Sequence, residues 1–134
     1  MINKCNALFM KRLAIFSTAV CLLVACSVSG FESLDNDAFE RLIATDGVQL
    51  VDVRTADEFA TKPHIAGAIN IDVKAADFAE QAQALLDKEK KVAVYCQRGH
   101  RSKMAAAQLT ELGYEVYELN TGIENWQKAN KPVE

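Results

Sequence analysis

The stretch that most constrains the fold of this chain runs from Val92 to Gly113. Four residues of β-type apolar character, Val92-Ala93-Val94-Tyr95, lead straight into Cys96. A short polar loop follows, Gln97-Arg98-Gly99-His100-Arg101. Ser102 then opens an Ala- and Leu-rich segment whose spacing predicts a helix, with Met104, Ala107, Gln108 and Leu112 about a turn apart and Gly113 just past its end. Strand, tight loop and helix N-terminus in direct succession place a nest of backbone N–H groups over the positive end of a helix dipole. A cysteine at the start of such a nest is favoured as the thiolate, against an unperturbed thiol pKa of about 8.5. Arg98 and Arg101 push the same way. The stretch suits an anionic sulfur.

The rest of the chain alternates strand and helix signals around it. Phe31 and Leu34 begin a first short strand, and Asp35 reads as the N-cap of a helix with Phe39, Leu42 and Ile43 on one face and Gly47 beyond its end. Val48 to Val53 is rich in β-branched residues and nearly all apolar, as expected of a strand buried on both faces of a parallel sheet. Thr55-Ala56-Asp57-Glu58 matches a capping box, so a short helix carrying Phe59 follows and stops at Lys62-Pro63. A glycine turn leads into a strand at Ala68–Ile71, and a helix is expected over Ala75–Leu86. Glu115–Leu119 reads as the last strand, Asn120-Thr121-Gly122 as a turn, and Ile123–Lys128 as a helix with Trp126 packed inward. This order predicts an α/β domain with a mainly parallel central sheet and helices on both faces. Ligands of such sheets sit beyond the carboxyl ends of strands, which is where Cys96 falls.

Residues 1–25 stand apart. Lys4, Lys11 and Arg12 precede an apolar, uncharged run from Leu13 to Ala25. That run is shorter than the about 20 residues of a spanning helix and has the length of a signal-peptide core. Its end, Leu23-Val24-Ala25-Cys26, resembles the lipobox of bacterial lipoproteins. The resemblance implies removal of residues 1–25, lipid on Cys26, a tether over 26–33 and a domain over 34–134 at the cell envelope, on the outer-membrane or periplasmic face in a Gram-negative cell. Attached acyl chains anchor a protein to a membrane without crossing it. Of the four cysteines, Cys5 and Cys21 would then be lost and Cys26 modified, which leaves Cys96 as the free thiol. Removing three basic residues leaves 12 Lys and Arg against 18 Asp and Glu, a net charge of −6, which argues against a nucleic-acid-binding surface. The cysteines and histidines show no zinc-ligand spacing, so no metal is expected.

Four motifs in order resemble the rhodanese family of sulfurtransferases: Val51-Asp52-Val53-Arg54 with Glu58-Phe59, His64 to Asn70, Cys96 to Ser102, and Asn120-Thr121-Gly122-Ile123 with Trp126. The resemblance implies a rhodanese-like fold and a Cys96 nucleophile. By the same resemblance that cysteine would take a sulfane sulfur from thiosulfate or another persulfide donor, become a persulfide, and pass the sulfur to a thiol or cyanide acceptor without a cofactor. Gln97, Arg98, Gly99, His100, Arg101 and Ser102 would form the substrate loop, with Arg98 and Arg101 touching substrate and His100 a solvent-facing spacer. Asp52, Arg54 and Glu58 read as structural support, Arg54 meeting Glu58 one helical turn on. His64 and Asn70 read as loop-ordering residues. Gln97 departs from the arginine of many relatives, which removes one charge from the mouth and loosens the assignment of thiosulfate, and Asn120-Thr121 sits where the family more often has glycine before Gly122. Two other functions fit the same loop. One is a phosphatase or arsenate reductase, whose loop encloses one residue more than the four between Cys96 and Arg101. The other is a persulfide carrier or binding module that does not turn over alone.

Overall fold

The computed structural model describes residues 30–134, so the expected signal segment and Cys26 lie outside the described residues. The elements alternate as expected: β1 (Glu32–Leu34), α1 (Asn36–Ile43), β2 (Gln49–Asp52), α2 (Ala56–Thr61), β3 (Ile69–Asn70), α3 (Phe78–Leu85), β4 (Val92–Tyr95), α4 (His100–Glu111), β5 (Val116–Leu119) and α5 (Gly122–Lys128). The strands form one sheet in the order β1-β5-β4-β2-β3. Every pairing is parallel. β1 takes Glu32 and Ser33 out of the expected tether, because their backbones pair with Tyr117 and Glu118 of β5.

Side-chain caps fix the starts of two of the helices. The Asp35 carboxylate accepts from the Ala38 N–H at 2.8 Å and the Thr55 hydroxyl accepts from the Glu58 N–H at 3.2 Å, fixing the starts of α1 and α2. β4 lies at the centre of the sheet with all four residues buried. Its alternate side chains enter two cores. Val92, Val94 and Cys96 face α3 and α4 among Val51, Val53, Phe78, Ala105 and Leu109. Ala93 and Tyr95 face α1 and α5 among Phe39, Leu119, Ile123 and Trp126. Trp126 is fully buried against Phe39, edge to face.

Two expectations for α4 need correction. The helix starts at His100 rather than Ser102, with Gly99 as its N-cap in the left-handed conformation. Its buried face is Ser102, Ala105, Ala106 and Leu109, while Met104 is 48% exposed. The helix packs against β4 and β5 through small side chains, Ser102, Ala105 and Ala106, with Leu109 the one large residue on that face. Methionine is the bulkier choice and points away.

Candidate active site

Cys96 sits one residue past the end of β4, at the carboxyl edge of the sheet. Its residue is 1% exposed, yet it lines an open cavity of about 570 Å³ with Lys74, Gln97, Arg98, His100, Arg101 and Met104. The Gly99 N–H donates to Sγ at 3.1 Å, and the Ser102 hydroxyl oxygen lies 3.5 Å from it. One donor therefore meets the sulfur at the foot of a 12-residue helix whose dipole points positive towards it.

The loop holds this shape because other elements grip its backbone. At the N-terminus of α5, the Ile123 and Glu124 N–H groups donate to the carbonyls of Cys96 and Gln97 at 2.9 and 3.1 Å. Lys103 donates to the Gly99 and Asn120 carbonyls, both at 3.1 Å. Glycine is required at two points of this grip. Gly99 has φ +92°, and a Cβ there would lie 1.9 Å from the Asn120 carbonyl oxygen. Gly122 has φ +74°, and a Cβ would lie 2.4 Å from the Gln97 oxygen.

The ion pairs differ from those expected. Arg54 does not meet Glu58. Its guanidinium binds Asp52 two residues back through Nη2 at 2.7 Å and Nε at 3.0 Å, and it also donates to the Pro63 carbonyl and the Gln97 side-chain oxygen. Both members are buried. Burial opposes the Arg54 charge, but the hydrogen bonds and charge of Asp52 outweigh it and hold the guanidinium above its ordinary value. Glu58 instead forms a two-pronged pair with Arg101, both distances 2.9 Å. Hydrogen bonding to Arg101 holds the Glu58 carboxyl below the usual range and raises Arg101 in turn. Arg98, at the cavity lip, pairs with Glu124 at 2.8 Å. Both arginines expected to touch substrate thus already face a carboxylate, although each still lines the cavity. His100 is exposed at the rim. Asn70 donates to the Asp52 and Arg54 carbonyls, tying the turn after β2.

Sequence reasoning missed two groups. Lys74, from the segment after β3, enters the cavity wall, and no local pattern marks it. Glu118 lies fully buried behind Cys96, where it accepts from Ser102 at 2.9 Å and pairs with Lys103 at 3.1 Å. A signal for it did exist. Glu118 shares the face of the buried Val116 in a strand whose parity is otherwise apolar.

The comparisons with known proteins agree with this geometry. The model of the rhodanese-like domain matches residues 35–129. The thiosulfate sulfurtransferase GlpE of Coxiella burnetii is 39% identical over 94 residues, covering 69% of this chain and 82% of that protein. Its counterpart in Shewanella oneidensis is 33% identical over 105 residues, covering 77% and 99%. Among solved structures, a rhodanese-related protein from Thermoplasma volcanium superposes with a TM-score of 0.68 at 29% identity, over 78% of this chain and 98% of that one. Buried cysteine, glycine-bounded loop, parallel sheet and sequence relatives converge, and the chain belongs to the rhodanese-like family of sulfurtransferases.

Proposed function

We propose that this protein transfers a sulfane sulfur through a persulfide on Cys96, from thiosulfate or another persulfide donor to a thiol or cyanide acceptor. The observation that carries the reading is the position of Sγ, touched by the Gly99 N–H at the foot of α4 and open to a cavity rimmed by Lys74, Arg98 and Arg101. The thiolate attacks the outer sulfur of the donor. A new Sγ–S bond forms, the donor S–S bond breaks, and its electron pair leaves on sulfite or a thiolate. The acceptor then attacks the outer sulfur and the pair returns to Sγ. Charge stays near the loop throughout, where fixed N–H groups and cations stabilise it without reorganising. No cofactor takes part in this scheme.

Treatment with thiosulfate should add the mass of one sulfur atom to the Cys96 peptide, and cyanide should remove it as thiocyanate. Absence of the adduct with every donor tried, while Cys96 still alkylates, would overturn the reading. Stable loading without catalytic turnover would favour the carrier. Two observations weigh against a phosphatase or arsenate reductase: α4 begins at His100, which shortens the nest, and Glu58 already occupies both prongs of Arg101.

The proposal extends to location. The charged start, apolar run and lipobox-like Leu23-Val24-Ala25-Cys26 support cleavage before Cys26, acylation there and anchoring at the cell envelope. Mass spectrometry of the chain from membranes should find an acylated N-terminal Cys26. A chain that retains residues 1–25 would refute this part.

A further inference from the structure

Behind the sulfur lies a hydrogen-bonded line that the transfer reaction does not require. Cys96 Sγ is 3.5 Å from Ser102 Oγ, and Ser102 Oγ is 2.9 Å from Glu118 Oε2. The other carboxylate oxygen, Oε1, accepts from Ser33 of β1 and pairs with the Lys103 ammonium at 3.1 Å. Ser102 and Glu118 are both fully buried. A carboxylate paired with an ammonium can only accept, so the Ser102 proton must point at Glu118. A hydroxyl has one proton. Once it is committed to Glu118, Ser102 turns a lone pair towards Cys96.

We propose that Glu118 is a positioning residue which, by taking the Ser102 proton, makes Ser102 an acceptor towards Cys96 and so favours the thiol and the sulfur-loaded cysteine over the bare thiolate. A thiol can donate its S–H to that lone pair, whereas a thiolate meets only the lone pair and gains no bond. In the persulfide, Sγ carries two bonds and no formal charge, and the negative charge has moved to the outer sulfur in the cavity. The line therefore penalises one state of the cycle, the bare thiolate, which is also the leaving group when sulfur is delivered. The effect holds a loaded sulfur until an acceptor arrives. This deepens the persulfide reading above and rests on it for its meaning in the cycle, but Cys96 ionisation can be measured without any sulfur transfer. The other charges facing Cys96 are Lys74, Arg98, His100 and Arg101 around the cavity and the Asp52–Arg54 pair beside the loop, and the variants below leave all of them in place.

E118Q tests the idea because its amide has only one sensible orientation. Its oxygen must face the Lys103 ammonium, so its NH₂ faces Ser102, whose proton must then turn to Cys96. In the full-length chain, with alkylation of Cys96 followed on its own peptide across pH, the E118Q midpoint should fall by about one pH unit or more. In the S102A background the same E118Q change should shift the midpoint markedly less. An unchanged or raised midpoint in E118Q overturns the proposal. So does an equal fall in both backgrounds, which would mean that charge alone acts. Should E118Q fail to fold, the infrared S–H stretch decides. Taken as the difference from C96S, it should lie lower in the wild type than in S102A, and equal frequencies would overturn the acceptor role of Ser102.

Discussion

Replacing Asp52 with alanine should be among the most damaging single changes in this domain, although Asp52 touches no substrate. Asp52 and Arg54 are 0% and 1% exposed. The change removes four hydrogen bonds: three from the guanidinium at 2.7, 3.0 and 3.1 Å, and one from the Arg54 backbone N–H at 2.9 Å. The guanidinium keeps the Pro63 carbonyl, the Gln97 amide oxygen and the Tyr95 ring at 5.9 Å, and none of these carries a full negative charge. Breaking a buried pair from one side typically costs about 3–5 kcal/mol, because the remaining charge is left uncompensated. At roughly 4 °C or more per kcal/mol for a domain of about 100 residues, Tm should fall by at least about 12 °C. Urea and thermal unfolding followed by circular dichroism measure both quantities. The control is D52A with R54M, which removes the stranded charge as well and should recover much of the loss, since apolar replacement of a buried pair is often close to neutral. A D52A loss below about 1 kcal/mol, or a double variant no more stable than D52A, would refute the argument that the buried charge sets the cost.

Further outcomes follow from the same geometry. G122A, which drives a Cβ to 2.4 Å from the Gln97 oxygen at φ +74°, should release the loop from α5 and slow alkylation and loading of Cys96 with the sheet intact. For the Glu58–Arg101 clamp the sign follows from a depressed carboxyl: its contribution is present above the unfolded Glu value and is lost as pH falls through the lower folded value. E58Q should therefore have a lower urea midpoint than the wild type near pH 7, and the gap should narrow as the pH is lowered below the ordinary carboxylate range. Trp126→Ala should cost about 3–5 kcal/mol in urea unfolding, because the indole is fully buried and its N–H donates to the Pro132 carbonyl at 2.9 Å. Lys74→Glu should raise KM for an anionic donor more than it lowers kcat, as expected of a wall charge that draws the donor in rather than one that acts on the sulfur.

Much of the fold was legible because its determinants are local. The caps at Asp35 and Thr55, the apolar run through β2 and the strand–loop–helix succession around Cys96 each act within a few residues. The α4 face was misread because Met104 is the largest apolar residue on that helix besides Leu109, and periodicity weighs size. The structure weighs fit, and Ala105 and Ala106 occupy the close contact. The ion pairs were misread for a different reason. Arg54 lies four residues before Glu58, a spacing that pairs charges on one helix, but Arg54 lies outside α2 and takes Asp52, while Glu58 finds Arg101, which is remote in sequence and adjacent only after folding. Lys74 and Glu118 reach the site through the same kind of distant contact.

That dependence on distant contacts also explains Gln97. Against the arginine of the family pattern that the loop resembles, glutamine looked like one positive charge fewer at the mouth. In the folded chain the Gln97 amide oxygen accepts from Arg54 at 3.1 Å, so the position faces a guanidinium already drawn in by Asp52. A second guanidinium at 97 would meet the first across a part-buried edge and would have to turn outward. Glutamine offers an oxygen instead and joins the loop to the Asp52–Arg54 pair. Lys74 adds positive charge at the mouth from a different segment of the same cavity wall, beside Arg98 and Arg101. The substitution at 97 therefore exchanges a loop cation for a tie between the loop and the sheet.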